Sequence, residues 1–380
     1  MSNYDRAGMI EERADRISDP VKRLRYLRAR MAEPAAETAP PPRRLGARHL
    51  WWVLCATVVL AIAVMSLTPR RAEATPRARE VLAEAAPKDS QTGPVPHVWR
   101  VERTETAELY SNGLRVDLTF AVSNRPRESF PIFPVTGGPA PRKRRSTPAG
   151  IVFHTTESHL APFEEEQTRR LRQLGRNALE VVRERRAYHY VIDRFGRVFS
   201  VVAESDAANH AGHSIWADSD GIYVNLNDSF LGVSFEGQTD AADQMTPAQT
   251  GAARLLTEML RSRYGISAQN CVTHAQVSVS PVNMRAGSHT DWAGNFPFAE
   301  VGLPDNYSIP PASVYVYGFE YDDAFVAAVA GRWIGLNIAL DRLERQASAQ
   351  HLSIARYRAI LRHRYQEVSA ALRKNSEGDI

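Results

Sequence analysis

The segment TPAQTGAARLLTEMLRSRYG, residues 246–265, carries the strongest fold signal in the sequence. Thr246 and Gln249 have the spacing of a capping box, and Gly265 follows the last turn. The apolar positions that share one helical face are Ala252, Leu255, Leu256, Met259 and Leu260. The pattern predicts an amphipathic helix over 246–264.

Short apolar segments on both sides of this helix predict strands. They are GIVFH at 150–154, YHYVIDRFGRVFSVV at 188–202, which is hinged at its central glycine, and LGVSFEG at 231–237. A second charged, amphipathic helix is predicted over 164–186. Because helices separate the strands along the chain, the sequence predicts an α/β domain.

An uncharged run near the N-terminus predicts a membrane anchor. Residues 50–67, LWWVLCATVVLAIAVMSL, contain no charged side chain, and a helix extended to 49–69 has the length to span a bilayer. Trp51 and Trp52 have the position of interfacial anchors. More cationic residues precede the helix than follow it, which favours an N-terminus inside the cell and a large domain that faces the periplasm or cell exterior.

Charge and cysteine content exclude two classes of protein. The formal net charge is +4, with basic and acidic residues interleaved over most of the 380-residue chain, so a nucleic-acid partner is not expected. The two cysteines, Cys55 and Cys271, do not form a disulfide framework, and Cys271 is expected in the core.

Several residues suited to metal binding lie near predicted strand ends. His154 ends the strand GIVFH, His274 follows the strand-like NCVTH, and His289 and Asp291 come soon after in HTDW. Catalytic zinc usually takes three protein ligands of these types and leaves a fourth position for water. Each histidine taken alone would more often be structural, so the spacing by itself does not establish a metal site.

Six motifs in order give a family resemblance. FHTT, YHYVIDRFGRVF, NHAG, LGVSFEG, TH and HTDWAGNF follow the order of type 2 N-acetylmuramoyl-L-alanine amidases and the related peptidoglycan recognition proteins. The resemblance covers residues 148–298. It implies a central mixed β-sheet flanked by helices, a substrate groove and one Zn²⁺ ion. It also implies cleavage of the amide between N-acetylmuramic acid and L-alanine in peptidoglycan.

The resemblance places zinc ligands on His154 and His274 and leaves two possibilities for the third. When His289-Thr290-Asp291 is matched to the family pattern Lys-x-Asp, Asp291 is the ligand and His289 takes the place of a lysine that donates to the oxyanion. The alternative makes His289 the ligand, with Asp291 behind it. A different register would place the ligand near Arg285, which cannot bind zinc.

Further roles follow from the same resemblance. Tyr188 matches a tyrosine beside the catalytic water, and His210 matches a residue that lines the substrate groove. Ser234 occupies a position at which some bacterial relatives have glutamate. Glu236 lies two residues further on and shares its strand face, but a solvated strand end is the more expected role for it.

Composition and periodicity, together with the extent of the resemblance, divide the chain into segments. The predicted segments are a disordered cytoplasmic tail (1–48), a transmembrane helix (49–69), a linker (70–96), a β-rich lead-in (97–147), a zinc amidase domain (148–310) and a C-terminal helical extension (311–380). Patterns over 325–343 and 354–372 predict a helical hairpin in the extension.

The function that the sequence favours is zinc-dependent amide hydrolysis at peptidoglycan, in a protein held at the membrane by one helix. Two alternatives stay open: a peptidoglycan-binding module of the same fold without catalysis, and an amide hydrolase with a substrate outside the cell wall. The sequence does not indicate the oligomeric state.

Overall fold

A computed structural model describes residues 95–239, 244–329 and 331–377. The predicted tail at 1–48, the transmembrane helix at 49–69 and nearly all of the linker at 70–96 lie outside the described residues. None of the helices within the described ranges combines the length and the apolar character that a bilayer crossing needs.

The described chain forms fourteen strands and seven α-helices. The strands are β1 Arg100–Arg103, β2 Ala107–Tyr110, β3 Arg115–Asp117, β4 Phe130–Ile132, β5 Lys143–Arg145, β6 Gly150–Thr155, β7 Tyr190–Ile192, β8 Val198–Ser200, β9 Ile215–Asp218, β10 Gly221–Val224, β11 Phe230–Phe235, β12 Cys271–Thr273, β13 Val279–Ser280 and β14 Arg285–Ala286. The α-helices are α1 Thr168–Arg185, α2 Pro247–Tyr264, α3 His274–Val277, α4 Ala312–Tyr317, α5 Asp323–Val329, α6 Ile334–Ala349 and α7 Ile354–Glu377.

A mixed sheet of eight strands organises the fold, in the order β1-β2-β3-β8-β7-β11-β6-β12. The last four strands in this order, β7, β11, β6 and β12, run parallel to one another, whereas β7 and β8 pair antiparallel. All six residues of β6 are buried. The carboxyl ends of the parallel strands therefore meet at one edge, where open α/β sheets bind their ligands.

Side chains along β6 and β7 point alternately to the two faces of the sheet, and helices α1 and α2 pack on opposite faces. Ile151 and Phe153 share a core cluster with the apolar side of α2. Val191 faces the other way, into a cluster with Leu179 and Val182 of α1. This is the mixed sheet flanked by helices that the sequence predicts.

The capping box that the sequence predicts for α2 is present. The side chain of Thr246 accepts from the backbone N–H of Gln249, and the Gln249 side chain accepts from the backbone N–H of Thr246. Gly265 follows the helix in a left-handed conformation with φ of 62°. The helix prediction over 246–264 is confirmed.

The helix predicted over 325–343 is wrong, because the chain forms two helices there, α5 and α6. Trp333 lies between them with non-helical φ of −111° and ψ of 74°. Its ring is fully buried and makes edge contacts with Tyr307, Tyr321 and Phe325. Burying the indole in this aromatic cluster outweighs the local helical pattern.

The lead-in and the C-terminal extension are continuous with the central domain. Strands β1, β2 and β3 join the main sheet through the parallel pairing of β3 with β8. The largest core cluster runs from the sheet into α4, α6 and α7. The sequence boundaries at 147/148 and 310/311 therefore do not separate independent cores.

Candidate metal centre

Three side chains converge at the carboxyl edge of β6 and β12. His154 is the fifth residue of β6, and His274 is the first residue of α3, directly after β12. Asp291 lies in the loop that follows β14. Since β6 and β12 are parallel neighbours, the two histidines come to the same edge of the sheet although 120 residues separate them.

The ligand atoms of these residues are close enough to bind one ion. The Nδ1 atom of His274 lies 3.0 Å from Oδ1 of Asp291, and the Nδ1 atom of His154 lies 3.3 Å from Oδ2. One ligand atom from each of the three residues falls within 4.8 Å of the others. The residues are 0%, 5% and 7% exposed for His154, His274 and Asp291. The structure therefore brings together the two ligands that the resemblance assigns to zinc and Asp291, one of its two candidates for the third.

The charges and the burial of this cluster favour an ionised Asp291 and a neutral His154, which are the protonation states that metal binding requires. Burial opposes ionisation of Asp291, but the imidazoles of His154 and His274 that face its carboxylate hold the pKa of Asp291 well below its usual value. Burial and the nearby His274 lower the pKa of His154 to about 4. At neutral pH the set is therefore a carboxylate and an uncharged imidazole on His154, as zinc coordination requires.

The environment of Nδ1 of His154 indicates whether the cluster suits a cation. Nδ1 of His154 is fully buried and has no hydrogen-bond partner among the described residues. A buried polar atom without a partner is costly unless something else satisfies it. A Zn²⁺ ion accepts two imidazole nitrogens and one carboxylate oxygen and leaves a fourth position open, so the residues present fit that ion.

His289 lies beside the cluster. Its ring stacks on the ring of His274, with 4.4 Å between centroids and 15° between planes, and the residue is exposed. Ser278 Oγ accepts from its backbone N–H and donates to its carbonyl oxygen, which fixes the loop. Within the described residues, the group that can bind a metal contains Asp291 and not His289. This geometry favours Asp291 as the third ligand.

Tyr188 stands on the other side of His154. Its ring centroid lies 5.0 Å from that of His154, and its hydroxyl donates to the carbonyl oxygen of Thr155 at 3.3 Å. Burial, with the negative charge of Asp291, raises the pKa of Tyr188 to about 12. The phenol is therefore protonated at neutral pH; its one O–H donates to the Thr155 carbonyl, and its oxygen can still accept a hydrogen bond.

His210 does not occupy the open groove wall that the resemblance implies. Its side chain is 8% exposed, and its Nδ1 lies 3.1 Å from Nε2 of His154. Burial, with the neighbouring His154, lowers the pKa of His210 well below its usual value. The ring is a neutral group packed behind His154.

The strand β11 places Ser234 and Glu236 differently. Ser234 pairs in register with His154 and is fully buried. Glu236 is 4% exposed, so the expectation of a solvated strand end is wrong. Its carboxylate accepts from the backbone N–H of Arg194 and lies against Gly175 of α1, and burial raises its pKa.

Sequence reasoning missed several residues that build the back of the site. Gly232 leaves room for the His210 ring, and its N–H donates to Nδ1 of His189 at 2.9 Å. Arg127, from the lead-in, donates to the carbonyl oxygens of Asp206 and Glu204 and contacts Nε2 of His189. The glycine inside a strand was a usable signal, because it often marks a close approach. Nothing in the local sequence identifies Arg127.

The fold and this cluster define a class: an α/β protein with a buried His-His-Asp cluster that could bind a metal at the carboxyl edge of its sheet. Residues 144–293 match the family model described as N-acetylmuramoyl-L-alanine amidase. All three proposed ligands lie within this segment. No curated protein matches the chain.

Three solved structures are similar over part of the chain. LysC from Clostridium intestinale is 21% identical, with 41% of this chain and 83% of that chain covered and a TM-score of 0.27. AmiD from E. coli, solved with the substrate anhydro-N-acetylmuramic acid-L-Ala-D-gamma-Glu-L-Lys, is 22% identical, with 42% and 60% covered and a TM-score of 0.31. AMPDH3 from Pseudomonas aeruginosa is 22% identical, with 48% and 80% covered and a TM-score of 0.33.

Proposed function

We propose that this protein is a zinc-dependent N-acetylmuramoyl-L-alanine amidase that hydrolyses the amide between N-acetylmuramic acid and L-alanine in peptidoglycan. The observation that carries the proposal is the buried cluster of His154, His274 and Asp291 inside the segment that matches the amidase family model. A domain that only binds peptidoglycan has no need of three converging metal ligands.

The chemistry divides between the ion and the side chains around it. A bound Zn²⁺ ion would polarise the scissile carbonyl and promote attack by water. His154, His274 and Asp291 would hold the ion, and the fixed ends of β6 and β12 would set its position. Because the sheet edge is rigid, little reorganisation is needed when substrate binds.

Two further side chains would act on the reacting groups. The Tyr188 hydroxyl oxygen, held beside His154, would orient the attacking water by accepting a hydrogen bond from it. A ring N–H of His289, at the exposed side of His274, would stabilise the negative charge that develops on the carbonyl oxygen.

The test is digestion of purified sacculi by the full-length protein, with mass analysis of the products. An amidase releases stem peptides that begin with a free L-alanine amino group and leaves the glycan chains intact. Release of sugar fragments, or of peptides cut elsewhere, would contradict the assignment. Co-sedimentation with sacculi without any release would favour the non-catalytic binding module.

We also propose that the protein is anchored in the cell membrane by one helix at 49–69, with the catalytic domain on the periplasmic or outer side. The support is the uncharged run at 50–67 and the cationic excess before it. Reporter fusions after residue 96 test this topology. A reporter active only in the cytoplasm would reverse it.

A further inference from the structure

Two buried imidazoles are in direct contact behind the metal centre. Nε2 of His154 lies 3.1 Å from Nδ1 of His210, and both residues are buried. A neutral imidazole has one nitrogen that donates and one that accepts. The contact therefore links the tautomers of the two rings, since one of these nitrogens must carry the proton and the other must not.

A backbone carbonyl decides which tautomer each ring adopts. Nε2 of His210 lies 3.3 Å from the carbonyl oxygen of Phe230, and that oxygen can only accept. His210 must then carry its proton on Nε2 and accept with Nδ1. His154 in turn donates from Nε2, which leaves its Nδ1 unprotonated, facing Asp291 at 3.3 Å.

The surrounding backbone holds the His210 ring in this orientation. The side-chain oxygen of Asn227 accepts from the N–H groups of His210 at 3.0 Å and Ala211 at 2.7 Å, which fixes the loop. Gly232 leaves the space that the ring occupies, since a Cβ there would lie 2.6 Å from Cγ of His210. The ring is therefore held by its loop on one side and by β11 on the other.

We propose that His210 is a positioning residue that fixes His154 in the tautomer with a free Nδ1, ready to bind the metal. The inference rests on the proposed zinc site but goes beyond it, because it assigns the preorganisation of that site to a residue that binds neither metal nor substrate. His274 is different, since its Nε2 is buried without a hydrogen-bond partner among the described residues. Within the described residues, His154 alone of the two proposed histidine ligands has such a support.

The first test needs no variant and no metal. In metal-free, full-length protein with ¹⁵N-labelled histidine, long-range ¹H–¹⁵N spectra distinguish the two tautomers. We expect His154 and His210 both to carry the proton on Nε2 at neutral pH, with the His154 signals assigned by their loss in His154→Ala. A proton on Nδ1 of His154, or fast exchange between its tautomers, would overturn the proposal even if the protein proves to be an amidase.

The second test measures zinc affinity by competition with a chromophoric chelator. His210→Leu removes the acceptor, and we expect zinc to bind about 10- to 100-fold more weakly, as for other lost supports of ligand histidines. His210→Asn offers its side-chain oxygen near the position of Nδ1 and should restore most of the affinity. His213→Leu, which changes an exposed ring on the same loop, is the matched control.

The outcomes separate this inference from the proposed function. Equal affinity in wild type, His210→Leu and His210→Asn would overturn the positioning role while leaving the amidase proposal intact. A wild-type protein that binds no zinc would overturn the proposed function, and the tautomer spectrum would still decide the inference. Gly232→Ala, which displaces the ring without changing its chemistry, should weaken zinc binding as His210→Leu does.

Discussion

The back and the front of the metal centre are built in different ways. At the back, His154 lies inside a six-residue strand that is buried throughout, and His210 packs behind it with 8% of its surface exposed. At the front, His289 is exposed on a loop that follows a pair of two-residue strands, β13 and β14. The rigid sheet holds the proposed metal ligand His154, and the loop presents His289, the group proposed to meet substrate.

This difference between the buried strand and the exposed loop shows which side chains must be held in a precise position. Metal ligands must be held within narrow distances, and a strand flanked by two parallel neighbours provides this. A donor to the substrate must also admit a bulky polymer, so it has to lie at the surface. Asp291 joins the two regions, since it lies on the loop but is 7% exposed and contacts both histidine ligands.

The largest effect is expected at the back. His154→Ala should abolish both zinc binding and hydrolysis, because it removes one of three ligands from a buried site. Elemental analysis gives the zinc content, and near-ultraviolet circular dichroism checks that the fold is intact. His159→Ala, at an exposed position nearby, should behave as wild type. Retained zinc in a folded His154→Ala protein would remove the basis of the proposed function.

At the front, Asp291 is proposed to bind the metal and His289 to stabilise the oxyanion, and single variants of each residue separate these two roles. Asp291→Ala should lose zinc, whereas His289→Ala should keep zinc and lose about 10²- to 10³-fold in kcat, the usual effect of removing an oxyanion donor. Zinc content and steady-state kinetics on a muropeptide are the measurements. The opposite pattern, with zinc lost only in His289→Ala, would make His289 the third ligand.

Tyr188→Phe tests the hydroxyl beside His154 without changing the ring that packs there. We expect kcat to fall about 100-fold, at the lower end for groups that assist proton transfer, with zinc content unchanged. The rate is measured with the same muropeptide. A rate equal to that of wild type would show that the hydroxyl has only its structural hydrogen bond to Thr155.

The smallest effect concerns the lead-in. Arg127→Met removes donors to three backbone carbonyls and should lower the free energy of unfolding by about 2 to 3 kcal/mol. Arg125→Met is the control, because its ion pair with Asp228 is exposed and should be worth less than about 1 kcal/mol. Urea denaturation compares the two. Equal losses would show that the lead-in does not brace the back of the site.

Local patterns sufficed for some elements and failed for others. The helix over 246–264 was predictable because its cap, its apolar face and its terminal glycine are all local. The break between α5 and α6 was not, because the burial of Trp333 depends on rings from distant segments. Likewise, nothing near His210 in the sequence indicates that it contacts His154, which is 56 residues away.

The sequence by itself determined the α/β alternation, the candidate ligands His154 and His274, and the choice between His289 and Asp291 for the third, since strand periodicity and the ordered motifs are properties of short segments. The anchor at 49–69 stays a prediction. Only the tertiary structure decided that the carboxylate of Asp291 meets both histidines and that His210 stands behind one of them. The physical reason is that these contacts arise from the parallel order of β11, β6 and β12 and from a loop folded across it, and strand order is set by packing across the whole sheet.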